Sequence, residues 1–474
     1  MAFLEYPLSL VLTCFFDVPC TDTEPEDDPQ ELPLFRRWLA VATISGSALC
    51  VTCASAAAFT IEGVSQQFHV GKEVAILGVS LYVLGLGTGP LFSGPLSEVY
   101  GRNIIYRVSF TFFFVFAFPV AFAPNIAIFL LFRFVTGLCG AAFLSVAGGS
   151  ISDMFSNAKV GTPMAVYTMT PFFGPEVGPL LGGFINQNTT WRWTYYLFII
   201  WSFFQLVALF LFVPETYSPV ILKQKARRLR NATGDRNYYS PLEKENINLT
   251  RSILLSCYKP LQLLISDRMI LLIDIWNALV LGIQYLAFEA FPIIFIEKHG
   301  FNLQMTGMTF LGIGIGLLLG LATMPYWNRR YQRIYEKNGD PPPEFRLVMG
   351  QVGGILVSVS LYWLAFTTYE HVHWIAPIIA SVPFGTGTYF VFTSSYTYIV
   401  VAYRPIAASA MASNSAMRSS FAAAFPLFAN QMYHNLGTVG ATALLAGLAT
   451  VMAPLPFVFY YIGARLRERS KFAV

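Results

Sequence analysis

The chain has 474 residues, a net charge of +4 at pH 7, 55% hydrophobic and only 12% charged residues, and a mean hydropathy of +0.56. Soluble domains carry about 25% charged residues, so an ordinary water-soluble domain is excluded and a polytopic membrane protein is expected. The basic excess is small and dispersed, which argues against a nucleic-acid partner.

Residues 1–36 read as a cytosolic N-terminal tail. Phe3 to Phe16 are mostly apolar, but Glu5 interrupts them and no basic segment precedes them, so they make a poor signal peptide. The stretch reads instead as a disordered or membrane-skimming tail that leads into the acidic run from Glu24 to Asp28. A window of about 20 residues, enough helix to cross a bilayer, then finds about twelve spans. The first six lie at about 38–62, 73–95, 104–123, 125–150, 161–185 and 193–213. The others lie at about 269–296, 305–326, 347–366, 374–400, 408–432 and 438–462. The expected organisation is a six-helix bundle over 37–213, a cytosolic linker over 214–268, a second six-helix bundle over 269–463 and a cytosolic tail over 464–474.

Basic residues set the orientation. With both termini cytosolic, the inner segments receive Arg36, Arg37, Arg102, Arg107, Arg329, Arg330, Arg333, Arg404 and the cluster from Lys223 to Arg230, and the outer loops hold only Lys72, Arg192 and Lys298. All five histidines (His69, His299, His371, His373 and His434) then fall in outer loops, which leaves none in the membrane to carry a proton. Cys50 and Cys53 form a C-x-x-C pair inside the first span, but no second pair or His partner accompanies them, so small residues in a packed helix explain them better than a metal site. Of three sequons, those at Asn231 and Asn248 lie in the linker, and only Asn188 faces outward as a glycosylation candidate. The basic stretch up to Arg230 suits a helix lying on anionic lipid; an inert tether is the alternative.

The run PFFGPEVGPLLGGF, residues 171–184, is the most informative segment. Gly174, Gly178 and Gly182 recur every fourth residue and share one helix face, Pro175 and Pro179 repeat the same step, and Gly183 widens the smooth strip. In water each Gly costs about 1 kcal/mol and each interior Pro about 3 kcal/mol of helix stability. In a bilayer neighbouring helices support such a segment, and small faces allow close approach. Glu176 is the one charge within it.

Gly94, Pro95, Leu96, Ser97, Glu98, Val99, Tyr100, Gly101 and Arg102 resemble the cytosolic signature loop of the major facilitator superfamily, G-x-L-(A/S)-D-R-x-G-R-R/K, with Glu98 in place of Asp and with Val99 and Asn103 in place of two basic residues. Arg133 with Thr136, Gly137 and Gly140 resembles that family's second motif, and residues 174–183 match its antiporter motif G-x-x-x-G-P-x-x-G-G. With further likeness at 214–222, 285–295, 408–433 and the closing stretch, the chain resembles the fungal drug:proton antiporter group with twelve spans from about residue 36 onward. The resemblance implies an all-α membrane protein of the major facilitator fold with two six-helix bundles, which exchanges protons for an exported organic compound.

The residues carry their own physical reading. Glu98 and Arg102 are four apart in a tight loop, where they can pair with each other and with helix ends; an acid at a helix N-terminus contributes about 0.3–1 kcal/mol. The four residues Gly94, Glu98, Gly101 and Arg102 are therefore the expected inner gate. Arg133 lies well inside the fourth span, where Arg costs at least ~2.5–3.5 kcal/mol on insertion scales and is functional by default. Glu176 is the nearest candidate carboxylate for it, and a proton there could be exchanged for substrate; a static buried pair is the competing reading. In the seventh span, Asp274 is expected at a solvated inner position, and Glu289 near the outer mouth, guarding an exit or paired with Lys298. Asn414 and Arg418 are expected to line the cavity. Tyr389, Phe392 and Tyr396 are spaced i, i+3, i+7 and form an aromatic face that suits a planar, semi-polar molecule, though ordinary packing gives the same pattern.

No phosphate-binding loop appears, and Gly312 to Gly316 sits in a span rather than after a strand, so neither ATP-driven transport nor another enzyme activity is expected, and no cofactor or metal is implied. The expected function is proton-coupled export of hydrophobic or amphipathic drugs, toxins or secondary metabolites by alternating access. Polyamine or organic-cation export and a non-transporting membrane receptor are the alternatives. The expected partners are a small-molecule substrate, protons and membrane lipid; a monomer in the plasma membrane is the default, with the vacuolar membrane as the other address.

Overall fold

Hydrocarbon offers backbone groups no partner, so an apolar segment must close its hydrogen bonds internally, and each long apolar stretch among the described residues is helical in the computed structural model. The structure describes residues 28–55, 57–156, 159–233, 240, 249–338, 342–403 and 406–469. The apolar stretch near the N-terminus, Asn248, Arg404 and residues 470–474 of the C-terminal tail lie outside the described residues, which contain no strand.

The first crossing is α1 (Leu34–Ser55), continued by a 3-10 turn (Ala58–Thr60) and α2 (Ile61–Phe68). α3 (Lys72–Thr88) and α4 (Pro90–Tyr100) return, and α5 (Arg102–Ala121) crosses again. The fourth crossing is α6 (Ile126–Gly140), α7 (Ala142–Ser145) and α8 (Ala147–Met154). α9 (Gly161–Asn188) and α10 (Arg192–Phe212) complete the first half, and α11 (Ser218–Thr233) and α12 (Leu249–Ser266) follow. The second half begins with α13 (Arg268–Phe291), which continues through a π-helical segment (Pro292–Lys298). Next come α14 (Leu303–Thr309), α15 (Leu311–Ala322) and α16 (Met324–Asn338), then a 3-10 turn (Pro343–Arg346) with α17 (Leu347–Thr367). α18 (Ile375–Ala402), α19 (Ala407–Met452) and α20 (Leu455–Arg469) close the chain.

Ten helical stretches are long and apolar enough to cross a bilayer. The last of them, Ser409–Glu468, turns at Gly437, whose φ of 71° breaks α19, so it supplies two crossings. The Pro- and Gly-rich α9 has 28 residues, about 42 Å at ~1.5 Å per residue. With it, the described residues form twelve helices of spanning length.

Several of these helices start where the sequence offers a cap. Asn125 accepts from the Ile128 amide, Asp267 from the amides of Met269 and Ile270, and Asn302 from the Met305 amide, each satisfying donors that the first helical turn leaves free. The turns around residues 69–71, 122–125, 189–191, 299–302 and 368–374 share one end of the bundle, here called distal; the start of α1 and the junctions around 101, 156, 214 and 267 lie at the proximal end. The halves meet where α3 packs along α19 and α9 packs along α14 and α15. α13 packs along α19 in the second half and is buried along nearly its whole length. α5 and α10 are the opposite case: Phe112, Phe118, Phe204 and Leu211 stay exposed, as side chains facing lipid do.

Candidate transport site between the two halves

α9 presents different faces to different neighbours, and its small residues decide which. An added Cβ on Gly174 would clash with Thr52 and Cys53 of α1, so this glycine sets how closely the two helices approach. Gly178 and Gly182, one and two turns on, are also buried, the latter in ordinary contact with Phe59. Gly183 lies about 100° round the helix from Gly182 and faces the other half, where a Cβ would come within 2.6 Å of the Leu303 carbonyl oxygen of α14. The Pro179 carbonyl meets Gly307 of the same helix, its oxygen lying 2.7 Å from where a Gly307 Cβ would stand. The antiporter-like run therefore packs against its own half on one side and the opposite half on another.

Glu176 is two residues, about 200°, from Gly174, so it points away from α1. It is 2% exposed, and its Oε1 accepts a 2.7 Å hydrogen bond from Nε2 of Gln284 on α13, across the interface. The same amide lies 3.4 Å from the Phe172 carbonyl. Glu176 Oε2 and Gln284 Oε1 are both buried with no hydrogen-bond partner among the described residues. One helical step away, the hydroxyls of Ser55 and Tyr285 join the halves again at 2.7 Å.

The expected approach of Glu176 to Arg133 is not what the structure holds. Arg133 is 2% exposed and donates from Nε to the Gly78 carbonyl at 2.8 Å and from Nη1 to the Ala54 carbonyl at 3.0 Å. Its guanidinium lies 4.3 Å from the centre of the Tyr82 ring and 5.6 Å from that of Tyr195. The fork therefore ties α6 to α1 and α3 through carbonyl oxygens and ring faces, and the rotation of about 200° between Gly174 and Glu176 sends the carboxylate elsewhere. Thr136 and Gly140 line the same face; Gly137 packs on the Tyr82 backbone.

In the second half, Asp274 is fully buried rather than solvated: it accepts from the Ser413 hydroxyl at 2.9 Å and from the Asn414 amide at 2.8 Å. Asn414 is 1% exposed and is engaged in pinning α13 to α19. One turn further, Arg418 donates to the Tyr396 hydroxyl at 2.6 Å, and its guanidinium lies over Phe172 and Tyr396. Phe172 of α9 stacks on Phe392 of α18 with ring centres 4.4 Å apart. Two of the three residues of the expected aromatic face thus meet the opposite half directly, while Tyr389 lies over Gly320 of α15. At this level the interface brings together the Glu176 carboxylate, the Gln284 amide, the Arg418 guanidinium, the Ser55 and Tyr285 hydroxyls and a set of stacked rings.

At the distal end, Glu289 is 4% exposed and forms a 3.2 Å ion pair with Lys72 at the start of α3. The expected partner, Lys298, instead donates to Thr438. The Leu303 amide also donates to Gln187 at 3.0 Å, so the halves are held together at this end by charge, hydrogen bond and close glycine contact. Asn188 is exposed at the end of α9, where its amide donates to the Phe184 carbonyl.

The proximal loop shows what the sequence did not reveal. Gly101 has φ 98° and ψ 159°, which turns the chain sharply between α4 and α5. The two flanking residues are therefore not on one helix, and Arg102 does not pair with Glu98, which is exposed. Arg102 donates to the Ser97 hydroxyl at 2.6 Å, sits 3.6 Å from Asp153 and stacks over the Tyr217 ring. The carboxylate that serves this loop is Glu215, which accepts from the amides of Arg102, Asn103, Thr216 and Tyr217. It caps the N-terminus of α5, where the helix dipole favours an anion. Pro214 to Thr216 open the expected linker, but 113 residues separate Glu215 from Arg102, and no local spacing reveals such a contact. Gly94 has nothing within 4 Å of where a Cβ would stand.

This arrangement, two helical halves meeting over a polar and aromatic interface, is that of a membrane transporter. The Major Facilitator Superfamily model matches residues 43–426, and the chain belongs to that superfamily. It is 47% identical over 395 residues to the efflux pump atB of Aspergillus terreus, covering 82% of this chain and 83% of that protein. It is 40% identical over 455 residues to the probable drug/proton antiporter YHK8 of Saccharomyces cerevisiae, covering 95% and 88% of the two chains. Among solved structures, the xylose transporter XylE from E. coli, in a partially occluded inward-open conformation, superposes with a TM-score of 0.62 at 15% identity, over 90% of this chain and 98% of that one; at this identity the likeness concerns the fold.

Proposed function

We propose that the chain exports hydrophobic or amphipathic organic molecules from the cytosol in exchange for protons, by rocking one six-helix half (37–213) against the other (269–463) about the α9–α13 interface. The observation that carries this reading is the buried contact of Glu176 with Gln284. A proton on Glu176 turns Oε2 from an acceptor without a donor into a donor, and the amide oxygen of its partner Gln284 is an acceptor that also lacks one, so the joined interface suits the neutral carboxylic acid. Loss of that proton leaves a charge in a buried interface, which is costly and favours separation of the halves. The names of the relatives, an efflux pump and a probable drug/proton antiporter, support the direction and the coupling ion.

In this reading the distal end faces outward, in keeping with the distribution of basic residues, and the Lys72–Glu289 pair with the Gly183–Gly307 contact forms the outer closure. Phe172, Phe392, Tyr396 and Arg418 contact the substrate, and the Glu215-capped loop with Gly94, Glu98, Gly101 and Arg102 sets the inner gate. Arg133 holds the first half in register and is a positioning residue for α1 and α3. The guanidinium of Arg418 at the aromatic level favours neutral or weakly acidic compounds over polyamines.

The test is efflux from energised cells preloaded with a panel of fluorescent amphipathic compounds and a labelled polyamine, with and without a protonophore. The reading requires export that collapses with the proton gradient and is lost in Glu176→Gln at normal surface level. Export of the polyamine alone would favour the organic-cation reading, and no flux of any compound with normal surface protein would favour a receptor.

A further inference from the structure

The proximal end of the second half holds cations that transport does not use. α16 continues from the span of α15 as a basic amphipathic helix carrying Arg329, Arg330, Arg333 and Lys337. With the turn before α17, α17 itself and α18, it encloses a cavity of about 60 Å³, several times the ~10–15 Å³ that one water requires. Arg330 and Arg346 supply its charge, Trp327, Tyr331 and Phe345 its rings, and Thr393 and Thr397 its hydroxyls. The rest of the lining is apolar apart from Asn328, and among the described residues no acidic one takes part.

Among the described residues, no acidic side chain forms an ion pair with either arginine. The Arg346 guanidinium lies 3.8 Å from the centre of the Tyr331 ring, and its buried Nε has no hydrogen-bond partner among the described residues. Arg330 is exposed and lies 5.8 Å over Trp327. The acid nearest in sequence to Arg346, Glu344, is already taken by Arg467 at 2.8 and 3.3 Å. Guanidinium groups fixed against ring faces keep their planar donor forks free, and those forks match the oxygens of a phosphate group. The cavity also lies just past the last apolar turn of a span, against Trp327 and Tyr331 of a helix that also carries Tyr326 and Tyr335, and Trp and Tyr favour the level of lipid headgroups.

We propose that this cavity is a binding site for the phosphate group of an anionic phosphate ester, held between Arg330 and Arg346. A membrane lipid headgroup and a soluble phosphate share that chemistry, and the experiment separates them. The full-length protein in neutral detergent is titrated with phosphatidic acid, with phosphatidylinositol, with phosphatidylcholine and, separately, with inorganic phosphate, and its thermal melting is followed. The expected result is stabilisation by the anionic lipids beyond phosphatidylcholine, with apparent affinity falling about tenfold in Arg330→Gln and in Arg346→Gln. Arg346→Lys, which keeps the charge without the fork, should fall between, and guards against a fold defect in Arg346→Gln. A double Arg227→Gln, Arg228→Gln variant on α11 should respond like the wild type. A shift by inorganic phosphate that depends on Arg330 would identify the same site as one for soluble phosphate. Equal responses to anionic lipid and phosphatidylcholine, with no response to phosphate, would overturn the proposal. So would wild-type responses in both Arg330→Gln and Arg346→Gln, or a loss confined to the α11 variant.

Discussion

Gly101→Ala should be far more damaging than Gly94→Ala, although both glycines belong to the same sequence motif. At Gly101 the backbone adopts φ 98° and ψ 159°, a region open in practice only to glycine, and holding another residue there costs about 1–3 kcal/mol. The new Cβ would also stand 2.4 Å from Glu215 Oε2 and 2.9 Å from its Cδ. The carboxylate would have to leave the amides of Arg102 and Asn103, and loss of such a cap costs about 0.5–2 kcal/mol. Together these come to about 1.5–5 kcal/mol. Gly94 is helical with open space around it, so Ala there should be neutral or stabilising by up to about 1 kcal/mol. Glu215→Gln keeps the shape but loses the charge, and should fall between. Thermal unfolding of the purified variants, read by intrinsic Trp fluorescence, checks the order: Gly94→Ala at or above wild type, then Glu215→Gln, then Gly101→Ala. Equal melting of Gly101→Ala and Gly94→Ala would refute both the strained turn and the role of Glu215.

Three further outcomes are expected. Gly183→Ala places a methyl group 2.6 Å from the Leu303 carbonyl of the opposite half, whereas the nearest atom for Gly182→Ala is 3.7 Å away; the first should lose most transport at normal surface level, and the second should stay within about twofold of wild type. Lys72→Met leaves the Glu289 carboxylate buried without its cation, while Glu289→Gln removes the charge with the pair, so Lys72→Met should lower the melting temperature more, even though the ion pair itself contributes little. Arg133→Lys replaces a fork serving two carbonyls on different helices by a single ammonium and should destabilise the protein by about 2–4 kcal/mol; melting like the wild type would show that the fork is dispensable.

The spans were legible because a bilayer enforces helix on any long apolar segment, and α9 was legible because its glycines repeat with the helical period. Which side chain meets which was harder. The rotation of α9 that sends Gly174 to α1 sends Glu176 to Gln284 on another half, 108 residues away, and no local pattern encodes that partner. Arg133 was identifiable as a buried cation, but its partners are carbonyls and ring faces, which leave no mark in composition. The motif reading placed Glu98 and Arg102 four residues apart in a tight loop where they could pair; the positive φ of Gly101 turns the chain between them, and Glu215 and Asp153 arrive from distant segments. Glycine at this position was the one local sign that the chain turns there.

The central claim is that Glu176 exchanges a proton for substrate. Its most direct test is transport by protein reconstituted in proteoliposomes, with a fluorescent amphipathic compound that cells export, comparing accumulation driven by an imposed pH gradient with exchange of labelled for unlabelled compound at equal pH. Glu176→Gln should lose gradient-driven accumulation while keeping exchange, because the amide mimics the protonated acid and leaves the pathway intact. Gradient-driven accumulation at the wild-type rate in Glu176→Gln would contradict the account.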